Sequence, residues 1–397
     1  MSEQHAPLAP SAAGRWGAQC AGSTALEAAN PEAEKSQDAR EGDASHWVGA
    51  TTLRDLQQYK QARQFKIGMS DPAGTILDKE MLEGAEMFVD TVVEIIGSDA
   101  LDTIHVEEKL TMHNLVHPVN EGTPDVWAIS GGTHRAIPSA EIYLLDYKYG
   151  HRFVDAFENW QCIDYTAGVL ERPELANIPW ENIKVRIVIV QPRCYGRGDQ
   201  VRHWETTAAK LRPYFDQLRN NAYLSMGPGA PTNVGAECRD CKGRHDCEAL
   251  QRASESAMDT AGLAVPVRMS PTAQAVELRM IQRAQELLKA RATGLEAQVM
   301  ANVRAGVAVP FFTLQAGEGR LAWTKPAAEV VVLGDMYGVD LRKEPEAITP
   351  TQAIKLGKAA GLTEDVVKSF AARPKGETKL IAADTEQARR VFGNDAS

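Results

Sequence analysis

Residues 140–149, AEIYLLDYKY, and residues 183–192, IKVRIVIVQP, are the two stretches that decide the fold. Both are rich in aliphatic, β-branched and aromatic residues, which favour strands. Working outward, residues 103–115 and 122–130 are also predicted as strands, and helical periodicity appears over 45–64, 77–97, 154–170 and 204–224. This order of elements predicts an α/β core with a mixed central sheet flanked by helices.

The composition sets the class of protein. The chain has 397 residues, enough for two or three domains, and a net charge of −10. No run of about 18 apolar residues occurs and the N-terminus lacks a signal-peptide pattern, so a cytoplasmic protein without a membrane partner is expected. The acidic balance does not favour nucleic-acid binding. However, six basic residues crowd one stretch and could form a local basic groove: Arg186, Arg193, Arg197, Arg202, Lys210 and Arg212.

A domain boundary is predicted where Ser, Ala, Gly and Pro become dense, between residues 255 and 270. A long helix is predicted over about 270–305, with Pro271 near its first position. We therefore predict a first domain over 1–255 and a C-terminal α+β extension of unknown role over 256–397. The extension begins with the long helix and continues with two short strands over 311–323 and helices near 350–360 and 364–371.

One carboxylate–lysine pattern points to chemistry. Asp146 and Lys148 are one residue apart in a strand, so they project to the same face, while Tyr147 points into the opposite layer. If the two central strands form a hairpin, Asp125 lies across from Asp146. Two such carboxylates can hold Mg²⁺ or Mn²⁺, and a lysine beside them can orient water and offset phosphate charge. The alternative is a surface ion pair on a half-exposed strand.

A cysteine triplet forms a second constellation. Cys238, Cys241 and Cys247 follow the pattern C-x2-C-x5-C in a polar segment. A closed zinc site or a [4Fe–4S] cluster needs a fourth ligand, for which His245 and Asp246 are local candidates and Cys20 a distant one. Cys162 and Cys194 lie in or next to helix and strand patterns and are predicted to be ordinary buried thiols.

The order of these motifs resembles the RecB-type branch of the PD-(D/E)XK nucleases, which includes the AddB nuclease domain and CRISPR-associated exonucleases. That branch carries G-x-x-D, then (D/E)-x-K, then Q-x-x-x-Y on a helix. The resemblance implies a restriction-endonuclease-like core for the α/β domain. It also implies a catalytic role for the matching residues, which are Asp125, Asp146, Lys148, Gln161 and Tyr165.

An upstream histidine of the same branch matches His46, in the context Gly42-Asp-Ala-Ser-His46. The resemblance implies that His46 is a metal ligand together with Asp125 and Asp146. It also implies that Gln161 and Tyr165 line the active site and contact DNA. Without the family, His46 would be a helix-capping or surface residue, and Gln161 and Tyr165 ordinary surface and core positions.

Some RecB-like nucleases carry an iron–sulfur staple, with one cysteine before the core and three after it. Cys20, Cys238, Cys241 and Cys247 match that arrangement, so the resemblance implies a [4Fe–4S] cluster on these four residues. A zinc ion held by the triplet and His245 is the alternative. The resemblance covers about residues 8–253, and the whole chain is similar to a phage- and prophage-encoded family of such nucleases.

The expected function is therefore a Mg²⁺- or Mn²⁺-dependent deoxyribonuclease, an exonuclease acting on single strands or duplex ends in phage-type recombination or DNA processing. Its expected partners are DNA and a phage recombinase or annealing protein. Two alternatives remain open at this point. One is a catalytically inactive DNA-binding recombination accessory protein, and the other is a zinc-stapled structural or interaction protein, which the net charge of −10 supports best.

Overall fold

The computed structural model describes residues 6–30, 35–132, 137–195, 198–261 and 269–312. These all fall within one compact unit, Met1–Phe312, and the remaining residues, Thr313–Ser397, form a second unit. The predicted helices near 350–360 and 364–371, and nearly all of the predicted strand pair over 311–323, lie outside the described residues. The boundary near residue 255 stays a prediction.

A five-stranded mixed sheet forms the centre of the described unit. Its strands are β1 (Ile104–Val106), β4 (Val126–Gly132), β5 (Ser139–Tyr147), β6 (Ile183–Val190) and β7 (Val201–Thr207), and they lie in the order β1-β4-β5-β6-β7. β5 and β6 are parallel, whereas every other neighbouring pair is antiparallel. Two further short strands, β2 (Leu110–Thr111) and β3 (Glu121–Gly122), pair separately. The predicted α/β class with a mixed sheet flanked by helices is confirmed.

Helices cover both faces of this sheet. One face packs against α2 (Gln37–Tyr59) and α3 (Lys79–Ile96) through a core that includes Val126, Leu145 and Tyr147. The opposite face packs against α4 (Trp160–Leu170) and α5 (Ala208–Met226) through a core that includes Trp127 and Leu144. Alternate residues of β4 and β5 enter opposite cores, as the two-residue period of a strand requires. The predicted orientation of Tyr147, away from Asp146, follows from this alternation.

Five predicted elements differ from the structure. The strand predicted over 103–115 is divided into β1 and β2, which belong to separate sheets, and the helix predicted over 154–170 begins only at Trp160. The strand predicted over 122–130 is divided into β3 and β4 around Pro124, which has no N–H to give to a ladder. The helix predicted over 204–224 begins only at Ala208, because residues 201–207 form the edge strand β7. The helix predicted over 45–64 instead runs from Gln37 to Tyr59, after a cap in which Ser36 Oγ accepts a hydrogen bond from Ala39 N.

The N-terminal and C-terminal parts of the unit are helical. Short helical turns at Pro10–Ala12 and Gly14–Gln19 precede α1 (Ser23–Ala28), and α6 (Glu248–Ala261) precedes the long helix α7 (Pro271–Arg304). The predicted long helix is confirmed, with Ser270 as its cap and Pro271 in its first turn. Among the described residues, no helix is long and apolar enough to cross a membrane.

Candidate functional site

The register of β4 and β5 places the two predicted carboxylates together. Val126 pairs with Leu145, so continuing this antiparallel register by one residue places Asp125, which immediately precedes β4, opposite Asp146. The side chain of Asp146 is only 3% exposed, and that of Asp125 is 19% exposed. The break at Pro124 therefore sets Asp125 at the end of its strand, beside the last residues of β5.

His46 reaches the same place from α2. Its Nδ1 atom lies 3.1 Å from Asp125 Oδ1, while Asp125 Oδ2 accepts a hydrogen bond of 2.7 Å from the backbone N–H of Tyr147. The imidazole ring also lies against the Tyr147 ring, with centroids 4.7 Å apart. The structure thus brings His46 and Asp125 together, as the resemblance implies, and it holds Asp125 in place through both carboxylate oxygens.

Asp146, Lys148 and Gln161 form a closed triangle of side chains. Lys148 Nζ donates to Asp146 Oδ1 at 3.1 Å and to Gln161 Oε1 at 2.9 Å, and Gln161 Nε2 donates to Asp146 Oδ1 at 3.0 Å. Lys148 Nζ also lies 2.8 Å from Asp146 Oδ2, which is buried and accepts no hydrogen bond of suitable angle. Gln161 is in the first turn of α4, so the helix positions this amide over the end of β5.

The charged groups in this cluster shift one another's pKa values. Burial lowers the pKa of His46, but the Asp125 carboxylate outweighs burial, so the pKa of His46 is raised. Burial would raise the pKa of Asp125, yet His46 and Lys148 hold it lowered. Burial raises the pKa of Asp146, and the neighbouring Asp125 raises it further, against the opposing effect of Lys148. One buried and one partly buried carboxylate, with one lysine and one histidine, therefore make a cluster in which positive and negative groups are nearly balanced.

Tyr165 lies one helical turn beyond Gln161 and is 4% exposed. Its hydroxyl group donates to the Thr123 carbonyl oxygen at 3.0 Å, which ties α4 to the segment just before Asp125. A Cβ atom at Gly122 would come within 2.7 Å of Pro10 Cδ and 3.0 Å of Tyr165 Cε1. A glycine at this position therefore allows the two segments to approach closely. With Tyr165 placed here, all six residues of the predicted constellation lie at one end of the sheet.

Two features next to the cluster were missed by sequence reasoning. The Ser45 and Tyr147 hydroxyl groups are 2.8 Å apart, and Ser45 Oγ donates to the Met81 carbonyl oxygen at 2.8 Å. Tyr147 therefore donates to Ser45, which joins β5 to α2 at the residue before His46. On α4, the buried Asp164 accepts a hydrogen bond of 2.8 Å from Asn120 Nδ2, and burial raises its pKa well above the usual range. Neither pair has a distinctive spacing in the sequence.

The cluster contains ligand atoms that could bind a divalent cation. However, the positively charged groups of His46 and Lys148 already lie beside its carboxylates. Among the residues that the structure describes, no three His, Cys, Asp or Glu side chains form a ready-made metal-binding group. His46 Nδ1 and Lys148 Nζ lie against the carboxylate oxygens that such an ion would contact. Carboxylate oxygens are the donors that Mg²⁺ and Mn²⁺ prefer, so Asp125 and Asp146 are the residues of this cluster whose chemistry fits such an ion best.

The four predicted cysteines all lie in one region, although Cys20 is about 220 residues away from the others in the chain. Burial raises the pKa of Cys20, and Cys247 raises it further; burial, with Cys20 and Cys247, also raises the pKa of Cys238. Burial raises the pKa of Cys241 to about 12, and Cys20 adds to this shift. The four thiols therefore lie within electrostatic range of one another, and each is less than a tenth exposed.

Backbone amides are directed at these sulfur atoms. Asn233 N–H donates to Cys20 Sγ at 3.3 Å, and Gly235 N–H donates to Cys238 Sγ at 3.3 Å. Gln19 Nε2 is 3.7 Å from Cys238 Sγ, a normal distance for a hydrogen bond to sulfur. Such bonds stabilise thiolates and tune sulfur-ligated clusters. Hydrogen-bond donors to sulfur therefore lie beside both Cys20 and Cys238.

His245 is engaged elsewhere. Its Nε2 atom lies 3.4 Å from the Asp246 carboxylate, and its carbonyl oxygen accepts a hydrogen bond from Arg291 on α7. The charge of Cys20 contributes to the raised pKa of Cys238 and of Cys241, whereas His245 is not among the groups that shift them. The other two cysteines, Cys162 and Cys194, are buried as predicted.

Comparison with known protein families gives a match to nearly the whole chain. The model of a family described as Protein of unknown function (DUF2800) matches residues 5–388, which is nearly the whole chain. No curated protein matches the sequence.

Proposed function

The chain belongs to the DUF2800 family, and we propose that it is a metal-dependent deoxyribonuclease with a RecB-like PD-(D/E)XK core over about residues 1–255. The observation that carries this proposal is the convergence of six residues from four separate segments. His46, Asp125, Asp146, Lys148 and Gln161 are linked by hydrogen bonds or ion pairs, and Tyr165 anchors the approach to Asp125.

In the proposed reaction, His46, Asp125 and Asp146 would hold one Mg²⁺ or Mn²⁺ ion. When bound, such an ion polarises a phosphodiester oxygen and lowers the pKa of a water molecule that it contacts. The two carboxylates provide the hard oxygen donors that these ions prefer. The Tyr147 N–H fixes Asp125 Oδ2, so this ligand is held by the backbone of the strand that carries Asp146.

Lys148 and Gln161 would act on the phosphate and the attacking water. Burial alone would lower the pKa of Lys148, but Asp146 and Asp125 raise it, so the ammonium group stays charged. A charged ammonium at this position offsets the negative charge that develops on the phosphate during attack. Gln161 accepts a hydrogen bond from Lys148 and donates one to Asp146, which keeps the lysine directed at the reaction centre.

For the cysteine cluster we propose a [4Fe–4S] cluster on Cys20, Cys238, Cys241 and Cys247. Burial raises the pKa of Cys20, Cys238 and Cys241, so these thiols are costly to ionise together, and a metal cluster removes that cost because it binds the thiolate form. The N–H donors to Cys20 and Cys238 are already in place. The cluster would be structural, since it would join the start of the domain to its end.

The proposed activity is tested with end-labelled linear DNA, single-stranded and double-stranded, incubated with Mg²⁺ or Mn²⁺. We expect cleavage by the wild type and a loss of several orders of magnitude in Lys148→Ala and Asp146→Ala, as for removal of a central electrostatic group or metal ligand. Lys79→Ala, which changes a lysine whose side chain is 66% exposed, is the matched control and should cleave normally. Identical products from wild type and both site variants would identify a contaminant and end the proposal.

The identity of the cluster is tested separately by anaerobic purification. A [4Fe–4S] protein is brown and contains about four iron atoms and four sulfides per chain. A colourless protein with stoichiometric zinc would exclude the iron–sulfur cluster and leave the nuclease proposal standing. A protein with normal metal content that cleaves no DNA would instead favour a non-catalytic DNA-binding role.

A further inference from the structure

The connection between α2 and α3, residues 60–77, exposes three aliphatic side chains. We call this connection the arm. Ile67 is 65% exposed, Met69 is 45% exposed and Ile76 is 59% exposed. Such a group of exposed aliphatic residues on one short segment is a typical sign of an interaction surface.

The arm is a hairpin held by its own hydrogen bonds. Gly68 N–H donates to the Leu77 carbonyl at 2.9 Å, and Leu77 N–H donates to the Met69 carbonyl at 2.7 Å. At the tip, Asp71 Oδ1 accepts from Thr75 N–H at 2.7 Å, and Gly74 takes the left-handed conformation with a φ of 88°. The fully buried Leu77 anchors the base. The exposed side chains are therefore presented on a preformed scaffold, which reduces the entropic cost of binding.

Both ends of the arm return to the part of α2 that carries His46. At the first end, the Phe65 ring lies 5.1 Å from the ring of Trp47, the residue after His46. At the second end, α3 begins after Asp78, and the Met81 carbonyl in its first turn accepts the hydrogen bond from Ser45, the residue before His46. The arm is thus attached on both sides of the histidine of the carboxylate cluster.

The charge of the arm differs from that of the whole chain. Residues 60–70 contain Lys60, Arg63 and Lys66 and no Asp or Glu, within a chain of net charge −10. Arg63 is paired with Asp55, at 2.6 Å, while Lys60 and Lys66 are exposed. Basic side chains among exposed apolar ones suit a nucleic acid, because phosphates attract the cations and the faces of unstacked bases contact the apolar groups.

We propose that the arm binds the end of the DNA substrate and separates its terminal base pairs. Ile67, Met69 and Ile76 contact the terminal bases, while Lys60 and Lys66 contact phosphates, so that one strand reaches Asp125 and Asp146. Apolar side chains inserted at a base step offset the cost of unstacking it. This inference rests on the proposed nuclease function and adds to it the substrate form, a duplex end.

The test compares rates on a blunt duplex and on a single strand of the same sequence. The variant carries Ile67→Ser, Met69→Ser and Ile76→Ser, three changes at exposed positions. Its matched control carries Met280→Ser and Ile281→Ser, which are 65% and 48% exposed on α7. We expect the arm variant to lose about tenfold or more in rate on the duplex and less than about twofold on the single strand, because only the duplex requires unstacking. The control should keep both rates.

Other outcomes separate the two proposals. If the wild type cleaves neither substrate, both the nuclease proposal and the arm proposal are wrong. If the wild type cleaves single strands but not duplexes, or if the arm variant keeps the wild-type ratio of the two rates, the arm proposal is wrong and the nuclease stands. A binding measurement adds an independent reading. In the Asp146→Asn background, a 2-aminopurine at the duplex end should brighten on binding, and the three arm substitutions should abolish this brightening.

Discussion

The carboxylate cluster and the cysteine cluster are both buried sets of ionisable side chains, but they are held together in opposite ways. His46 pairs with Asp125 and Lys148 pairs with Asp146, so the carboxylate cluster contains nearly balanced charges. The cysteine cluster brings together four buried thiols with no cation among the four, and burial, followed by the neighbouring thiols, raises the pKa of Cys20, Cys238 and Cys241.

The difference shows what each region depends on. The carboxylate cluster is placed by the register of β4 and β5 and by the first turn of α4, so its geometry follows from the sheet. The cysteine region joins segments near residues 20 and 238–247, and its small apolar cluster contains only Cys238, Cys247, Leu250 and Ala290 as buried members. We infer that the sheet and its helices position the residues of the carboxylate cluster. In the cysteine region, by contrast, the proposed metal cluster would stabilise the fold.

The largest expected effect separates two buried aspartates. Asp146 and Asp164 are 2% and 0% exposed, but only Asp146 belongs to the carboxylate cluster. Asp146→Asn should lower the rate of DNA cleavage by about a thousandfold, since it removes a central electrostatic group. Asp164→Asn should keep the wild-type rate within a few fold. The cleavage rates are measured with end-labelled DNA. If both variants lose activity equally, the loss follows from changing a buried aspartate and gives no support to Asp146 as a metal ligand.

The next effect separates two buried cysteines. Cys238→Ala should lower the melting temperature by about 10 °C or more, because losing the cluster costs several kcal/mol and each kcal/mol is worth about 2–4 °C in a domain of this size. Cys194→Ala, at a residue only 4% exposed, should cost about 1 kcal/mol. Melting curves and iron content of the two variants give the comparison. A Cys238→Ala protein as stable as Cys194→Ala would refute a structural role for the cluster.

A smaller effect concerns pH and Asp164. Its pKa is raised by burial, so the native state retains a proton that the unfolded state releases, and wild-type stability falls as pH rises above the usual carboxyl pKa. Asn120 Oδ1 and Asp164 Oδ2 are both buried and have no hydrogen-bond partner in the described part of the chain, so an amide at position 164 can replace the protonated carboxyl. The melting temperature of Asp164→Asn, relative to that of the wild type, should therefore rise by up to about 3 °C per pH unit between pH 5 and 8. Parallel melting profiles would show that Asp164 ionises normally.

The smallest effect tests the bond between β5 and α2. Tyr147→Phe and Ser45→Ala each remove the hydrogen bond between the two hydroxyl groups, which should cost about 1 kcal/mol of stability. Because His46 follows Ser45, the Mn²⁺ concentration for half-maximal cleavage should also rise a few fold. Ser45→Ala also removes the hydrogen bond to the Met81 carbonyl oxygen, so the double variant should resemble Ser45→Ala, which has already lost the bond between the hydroxyl groups. Fully additive effects on the Mn²⁺ requirement would show that the bond does not position His46.

Sequence reasoning succeeded where spacing fixes geometry. The two-residue period of a strand placed Asp146 and Lys148 on one face, and the four-residue spacing of Gln161 and Tyr165 placed both on one side of α4. The meeting of Asp125 with Asp146 needed only the correct hairpin register. The resemblance to a nuclease family added His46 and Cys20, whose distance along the chain gives no local signal.

The remaining features depend on tertiary contacts that sequence patterns do not encode. The sequence pattern predicts a helix from Trp204 onward. Residues 201–207 instead form a strand, because the edge of β6 is open to pairing. The first two turns of α2 contain few apolar residues, so their helical structure depends on the Ser36 cap and on continuity with the buried turns that follow. The Ser45–Tyr147 and Asn120–Asp164 pairs join residues 102 and 44 positions apart.

The distance between Cys20 and Cys238 also has a consequence for biosynthesis. Translation proceeds at about 5–20 residues per second, so the first thiol leaves the ribosome roughly 10 to 40 s before the triplet does. By then the sheet segments between them have already emerged. The four sulfur atoms can therefore assemble only in a chain whose central domain is almost fully synthesised, which would make cluster insertion one of the last events in its maturation.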